Sequence, residues 1–116
     1  MTRFLLALLV AATLSAADLS GRWTGTFTPE GGNQGPALVV LQHDGDSVTG
    51  SAGPDDNDRH EISNGKVVGD KVTFQITNGS LMKFELTLKG DELSGQATRE
   101  RQGQRQTAQL KLTRKK

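Results

Sequence analysis

The chain contains no cysteine, no tyrosine and a single tryptophan. The absence of cysteine excludes disulfide bonds, a thiol-linked lipid anchor and a metal site built on thiolates. Aromatic residues make up only 4% of the sequence and the formal net charge is +1. Nucleic-acid binders instead combine a basic surface with aromatic side chains on which bases stack, so we expect no nucleic-acid partner.

Residues that carry catalysis are also scarce. The only histidines are His43 and His60, and no serine lies in a Gly-x-Ser-x-Gly turn. His43 precedes an Asp-Gly turn, so we expect its side chain to be exposed at the end of a hairpin. Because catalysis needs a positioned nucleophile, base or metal, the sequence predicts a protein that is not an enzyme and uses no cofactor.

The densest group of oxygen ligands lies at 55–61, which reads Asp-Asp-Asn-Asp-Arg-His-Glu. A calcium loop supplies several such oxygens from one folded turn. Here Arg59 interrupts the run, and neither the glycine nor the distant glutamate of a calcium loop follows at the required spacing. The segment is therefore predicted to be a solvated loop, and we expect no metal site.

The one long apolar run lies at the start of the chain. Arg3 precedes an almost unbroken apolar stretch at 4–14, and small residues follow up to Ala17. This pattern is typical of a signal peptide, and the run is far shorter than the roughly 20 residues of a membrane-spanning helix. We predict a signal peptide at 1–17 with cleavage near Ala17, one domain at 18–116, no transmembrane segment, and a secreted or periplasmic location.

Short alternating segments separated by turn signals fill the rest of the chain. Asp-Gly, Asn-Gly and Gly-Asp pairs tolerate the positive φ that two-residue hairpin loops need. They occur at 44–45, 64–65, 78–79 and 90–91. The predicted strands are 21–27, 37–43, 47–52, 59–63, 66–69, 71–77, 81–89, 92–100 and 105–114. The fourth and fifth segments could form one bent strand, which gives about eight strands.

A small sheet with one apolar and one polar face buries the apolar face best by closing on itself. The predicted fold class is therefore all-β, a small antiparallel up-and-down meander barrel of about eight strands, with open loops at 30–36 and 53–58. Charge divides along the chain, because 18–64 carries 2 basic and 8 acidic residues (−6) and 65–116 carries 11 and 5 (+6). This division would suit head-to-tail self-association.

Two hairpins in the sequence are similar to each other. Segments 41–52 and 86–97 align without a gap, and both contain the pattern Gly-Asp-x-apolar-Ser/Thr-Gly-x-Ala. The second glycine of the pattern is Gly50 in one copy and Gly95 in the other. We expect these glycines to permit the bend that closes a small barrel. The alternative is that small inward residues leave room for a ligand.

A short motif gives the chain a family resemblance. Gly21-Arg22-Trp23 places a Gly-x-Trp on the first strand of the predicted meander, behind a leader. In this the chain resembles the calycin superfamily of lipocalins and avidins, and in particular the small lipocalin-like domains of secreted bacterial proteins. The resemblance implies a structural plug, in which Trp23 closes one end of the barrel and a basic residue of the last strand, Arg114, packs across it.

The residue pattern supports the plug and argues against a biotin site. Positions 108, 110, 112 and 114 share one phase, so Arg114 continues the inward face of Leu110 and Leu112. The alternative is that Arg114 belongs to a solvated basic tail. Avidin-type biotin sites use several tryptophans and a tyrosine, so the resemblance does not extend to biotin binding.

The lipocalin-like resemblance implies a secreted binding module for a small apolar or amphiphilic ligand. The candidate ligand cavity consists of Phe27, Phe74, Met82, Phe84 and Leu86. An eight-stranded barrel can also fill its interior with side chains, so the same residues could form a packed core.

Arg99 and Arg101 share the phase of Leu93 and Ala97, and they could contact an anionic group at the barrel opening. They could equally form an exposed cationic hairpin tip. The alternative function is a filled barrel that contacts a secreted protein partner, for example as an inhibitor of, or accessory to, a secreted enzyme.

Overall fold

The computed structural model describes residues 18–115, except for the side chains of Asn78 and Arg101. The predicted signal peptide at 1–17 lies outside the described residues. From residue 18 onward the chain consists of nine β-strands joined by turns. They are β1 (Gly21–Pro29), β2 (Gly35–Asp44), β3 (Ser47–Asp55), β4 (Asp58–Glu61), β5 (Ser63–Val68), β6 (Lys71–Asn78), β7 (Ser80–Lys89), β8 (Glu92–Arg101) and β9 (Gln104–Arg114).

The strands close into a barrel. The sheet order is β2-β1-β9-β8-β7-β6-β5-β3-β4, and a further ladder between β2 and β3 closes the ring. Both β4 and β5 pair with β3, at different points along it: Ala52 lies opposite His60 of β4, and Ser47 lies opposite Lys66 of β5. Together β4 and β5 occupy one place in the wall. The predicted all-β class and closed antiparallel meander are therefore confirmed, as eight strands plus one extra strand.

Most predicted strand boundaries are close to the observed ones, with two exceptions. The Asn-Gly pair at 64–65 was predicted to be a hairpin turn but lies inside β5, where Asn64 has a φ of 51°. The prediction of an open loop at 53–58 is wrong, because β3 extends to Asp55 and β4 begins at Asp58. The two strands meet in a tight hairpin, and their register shifts between Ala52 and Asp55. A bulge of this kind bends a strand without ending its pairing. The polar sequence of the segment does not show that the strands continue through it.

Side chains alternate between the barrel interior and solvent, as the period of two along a strand requires. In β7, for example, Phe84 and Leu86 are buried whereas Lys83 and Glu85 are exposed. The largest fully buried side chains are Trp23, Phe74, Leu19, Leu41, Leu86, Leu93, Leu112, Val39 and Val72. Most of them lie in the half of the barrel that contains the tryptophan, so this half is filled by packed side chains.

Trp23 lies at the centre of the closed end. Its side chain has no exposed surface, and its indole Nε1–H donates a hydrogen bond of 2.9 Å to the carbonyl oxygen of Leu19. Leu19, which is 1% exposed, comes just before β1 and packs into the same core. The indole therefore holds the segment that crosses this end of the barrel, and it satisfies its own buried donor in doing so.

Arg114 covers the tryptophan from the last strand. Its Cζ lies 4.4 Å from the centroid of the Trp23 ring, within the range of a cation–π contact. Its Nη1 donates to the carbonyl of Ser20 at 3.0 Å and its Nη2 to the carbonyl of Asp18 at 2.8 Å, while Nε lies 3.3 Å from Oδ1 of Asp91. One guanidinium thus joins the start of the described chain, the indole and the β7–β8 turn.

His43 forms the third part of the closed end. Its Nδ1 accepts a hydrogen bond from the backbone N–H of Leu19 at 3.1 Å, and its Nε2 lies 2.9 Å from the carbonyl of Gly45. Its own backbone N–H donates to Ser20 Oγ at 2.9 Å. The expectation that His43 is exposed is wrong, since its side chain is only 13% exposed. The segment before β1 covers it, and local turn chemistry does not reveal a contact so distant in sequence.

We expect Arg114→Ala to lower the free energy of unfolding by about 2 kcal/mol, on the order of 10 °C in Tm, because both the ring contact and the hydrogen bonds to backbone carbonyls are lost. Thermal unfolding followed by circular dichroism measures the effect. The control is Lys115→Ala, which removes an exposed neighbouring charge and should leave Tm almost unchanged. Equal effects of the two substitutions would show that Arg114 belongs to a solvated tail.

Gly50 lies opposite Leu41 in the ladder between β2 and β3. It has a φ of +140°, and a Cβ atom there would lie 1.9 Å from the carbonyl oxygen of Val40. Gly95 occupies the matching position of the second similar hairpin, and a Cβ there would lie 2.0 Å from the carbonyl oxygen of Glu85. Both contacts are with backbone, which cannot move aside without separating two strands. The two glycines therefore allow close strand contact in the bent wall.

Gly50→Ala is expected to destabilise the barrel by about 3 kcal/mol, since the new methyl group meets a carbonyl oxygen and the φ is strained for alanine. Urea unfolding measures the change. Gly35→Ala is the matched control, because no atom lies within 4 Å of a Cβ at Gly35. Its effect should not exceed about 1 kcal/mol in either direction. A Gly50→Ala protein as stable as the Gly35→Ala protein would contradict the packing argument.

Candidate functional site

The end of the barrel opposite Trp23 is open, and we call it the mouth. Strand β1 runs from the closed end at Trp23 to the mouth at Pro29, where it pairs with Ala108 of β9. The β1–β2, β3–β4, β6–β7 and β8–β9 connections surround the mouth. The β2–β3, β5–β6 and β7–β8 connections lie at the closed end, and the β4–β5 connection lies within the wall, where the N–H of Ile62 donates to the carbonyl of Gly50.

An apolar cavity of about 300 Å³ opens at the mouth, and we call it the mouth cavity. Its walls come from seven of the nine strands, so it occupies the interior of the barrel. Its lining residues are Phe27, Pro36, Ala37, Leu38, Val39, Ala52, Gly53, Pro54, Asp58, His60, Ile76, Met82, Phe84 and Leu110. The volume is at the lower end of the range for small-molecule sites, which are concave and mostly apolar.

The residues predicted to form a ligand cavity divide into two groups. Phe27, Met82 and Phe84 line the mouth cavity. Phe74 and Leu86 are each 1% exposed and belong to the packed core below it. The ring of Phe74 stacks on that of Phe84, with centroids 4.7 Å apart and an angle of 20° between the planes. The stacked pair thus marks the boundary between the filled and the open parts of the barrel.

Several residues of the mouth cavity were not predicted. Ala37, which was not predicted, lies on its wall. Ala52 lies there too, and it is one of the small inward residues of the repeated hairpin pattern for which the alternative prediction was that they leave room for a ligand. The small side chains of both alanines leave the interior unfilled there. Ile76 and Leu110 share the inward phase of their strands, so periodicity marks them as core without showing that they face a cavity. Which inward residues lie near the mouth depends on the register between strands, and an isolated strand pattern does not contain that information.

One polar pair faces the otherwise apolar cavity. His60 and Asp58 both contribute to its wall from β4, and His60 Nε2 lies 3.4 Å from Asp58 Oδ1. The side chain of His60 is 37% exposed. The pair could orient a polar group of a bound molecule. Among the described residues, no group of three or more histidine and carboxylate side chains is placed to hold a metal ion.

A second, more polar recess of about 440 Å³ adjoins the mouth cavity, and we call it the arginine recess. The two share Phe27 and Met82 as lining residues, so they meet at these side chains. The lining of the recess consists of Phe27, Pro29, Glu30, Met82, Ala97, Arg99, Arg105, Gln106, Thr107 and Ala108.

The two arginines predicted to contact an anionic group differ in how far the structure describes them. Arg99 lines the arginine recess. Arg101 lies at the end of β8 with its backbone opposite Gln104, and its side chain is outside the described part of the chain. Arg105, which flanks the same β8–β9 turn in the sequence, lines the recess from β9.

The acidic β3–β4 hairpin is held against the outer surface of the barrel. Arg22 on β1 donates from Nη2 to both carboxylate oxygens of Asp56, at 3.0 and 3.2 Å. Arg59 lies 4.0 Å from the same carboxylate and donates to Ser51 Oγ at 3.1 Å. The hydrogen bond from Arg22, followed by the positive charges of Arg22 and Arg59, holds the pKa of Asp56 below its usual value. The contact positions the hairpin that carries Asp58 into the cavity wall.

Arg22→Gln is expected to raise the pKa of Asp56 toward the ordinary value of 3.8, because the group that favours the carboxylate is removed. With the pKa lowered in the folded state, the contact stabilises the fold above the unfolded pKa, and this contribution is lost as pH falls through the folded pKa. Carboxyl ¹³C NMR titration measures the change. Asp18 is the internal control: its pKa is lowered chiefly by the Ser20 N–H and should stay low. An unchanged pKa at Asp56 would show that Arg22 is not the cause of the lowered pKa.

Comparison with known proteins identifies no relative. No protein-family model matches the chain, and no curated protein or solved structure matches it either. Within residues 18–115 there is no helix whose length and apolar character would let it cross a bilayer.

Proposed function

We propose that the protein is a secreted, non-enzymatic binding module of the lipocalin-like type, which holds a small apolar or amphiphilic ligand in the mouth cavity. The observation that carries this proposal is the contrast between the two ends of the barrel. One end is filled by Trp23, Leu19 and Arg114, whereas the other contains an apolar cavity of about 300 Å³ that opens to solvent. An open apolar hollow in a rigid wall is the usual form of a small-molecule site.

The open cavity has a cost in stability, which supports a role for it. Ala37, Ala52, Ala97 and Ala108 are buried at or near the mouth, where larger side chains would fill the interior. Unfilled apolar volume costs free energy, because side chains on its walls lose van der Waals contacts. In the closed half of the same barrel, leucines and aromatic residues occupy the corresponding inward positions. Ligand binding gives a reason for keeping small residues at one end.

The assignment to the calycin superfamily is part of this proposal. It is supported by Gly21-Arg22-Trp23 on β1, by the closed eight-stranded barrel, and by the guanidinium of Arg114 over the ring of Trp23. Secretion is supported by the apolar leader at 1–17. Asp18, the first residue after the predicted cleavage position, contacts the barrel, since its carbonyl accepts a hydrogen bond from Arg114.

Substitution at the mouth tests the binding proposal. Met82 lines both the mouth cavity and the arginine recess and is only half-buried, so Met82→Trp should fill the opening with little effect on folding. We expect this variant to weaken binding of 1-decanol, an uncharged single-chain probe, by at least about tenfold, because the cavity is occupied. Isothermal titration calorimetry measures the affinity.

Leu81→Trp is the matched control, because Leu81 is the adjacent residue of β7 and is 42% exposed on the outer face. It should bind decanol as the unmodified protein does. If the unmodified protein fails to bind decanol, or if the two variants bind equally well, the cavity is not the site. Native mass spectrometry of the protein from its source adds a second readout. A chain that carries a protein partner and no small molecule would favour the alternative function, an interaction module.

A further inference from the structure

We infer that the ligand is a single-chain amphiphile with an anionic headgroup, whose tail enters the mouth cavity and whose headgroup lies against Arg99 in the arginine recess. This inference rests on the proposed function and specifies the chemical class of the ligand. It depends on three features of the mouth. The two compartments adjoin, the Arg99 guanidinium is held by hydrogen bonds with donors to spare, and no described carboxylate neutralises it.

The apolar and the cationic compartments are in direct contact. Phe27 and Met82 belong to the lining of both, so the two compartments adjoin at these two side chains. Met82 lies opposite Arg99 in the β7–β8 ladder. The guanidinium therefore belongs to a residue adjacent to the shared wall, which is the position a headgroup reaches when the tail points inward.

Arg99 is held in place and has spare donors. Its Nε and Nη2 both donate to Oε1 of Gln106, at 3.2 and 2.8 Å, and Gln106 is its cross-strand partner. A guanidinium has five N–H donors, so the remaining ones are available to an oxyanion. Of the ion pairs between described side chains, none includes Arg99. Its neutral partner fixes its position without neutralising its charge.

Among the described side chains of the recess, Arg99 is the guanidinium that has no carboxylate partner. Arg105 lies at the rim, where it forms an exposed ion pair of 3.6 Å with Glu100. Glu30 is the one carboxylate among the residues that line the recess, and its backbone N–H is bound to the carbonyl of Thr107. Because Glu100 offsets the charge of Arg105 and no described carboxylate pairs with Arg99, the charge of Arg99 is the one that favours a ligand with negative charge over an uncharged or a cationic one. Arg99, which is less exposed than Arg105, provides the main contact.

The cavity volume limits the length of the tail that the cavity can hold. At about 30 Å³ per group, the volume of a water molecule in the liquid, a cavity of about 300 Å³ accommodates on the order of ten methylene-sized groups. Each methylene buried should tighten the dissociation constant about fourfold, until the cavity is full. A ligand of this class therefore gains affinity up to about ten carbons and gains little beyond that length.

The test compares three probes with the same tail. Decanoate, 1-decanol and decyltrimethylammonium are titrated calorimetrically, at low and at high salt, into protein recovered from cells that express the full chain. We expect decanoate to bind about tenfold more tightly than decanol at low salt, with the advantage reduced at high salt, and the cation to bind most weakly. Octanoate and dodecanoate then test the limit on tail length.

Two variants locate the headgroup. Arg99→Gln should remove most of the advantage of decanoate over decanol. Lys89→Gln, which removes an exposed charge at the closed end, is the control for net charge and should change neither affinity. If decanol binds but decanoate has no advantage, or if Lys89→Gln has the same effect as Arg99→Gln, the inference about the headgroup is wrong and the proposed function stands. If no probe binds, both are wrong.

Discussion

The structure depends on one set of contacts at the closed end, where the guanidinium of Arg114 lies over Trp23 and donates to the carbonyls of Asp18 and Ser20. A barrel of short strands has many inward side chains but only two places where water can enter. Closing one of them with an aromatic ring and a cation fixes the first strand against the last, and it satisfies polar backbone groups that would otherwise lose their contact with water. The rest of the interior packs on this surface.

From that closed end the character of the interior changes along the barrel axis. Leucines and aromatic rings fill the first half, the stacked Phe74 and Phe84 mark its limit, and small residues such as Ala37 and Ala52 line the second half. The wall itself is continuous backbone hydrogen bonding, so it remains closed whether or not the interior is filled. A small barrel can therefore be both rigid and partly hollow. Main-chain pairing makes the wall rigid, and the size of the inward side chains determines how much of the interior is filled.

Alternation and turn chemistry were sufficient to predict the all-β class, the meander and the inward phase of Arg114, because these features depend on neighbours in sequence. The burial of His43 and the tight β3–β4 hairpin could not be predicted in this way, since both arise from contacts between distant segments or from a bulge. The candidate site was predicted only in part for a related reason. Phe27, Phe74 and Leu86 all have the same inward pattern, and only their height along the barrel decides which of them meets the cavity.

The separation of the turns into two sets has an evolutionary consequence. The residues that hold the closed end together come from the two ends of the described chain and from the connections near them, whereas the proposed ligand site lies toward the four hairpins at the other end. Substitutions that alter selectivity can therefore accumulate at those hairpins with little penalty to folding. A scaffold organised in this way can acquire new ligands one loop at a time.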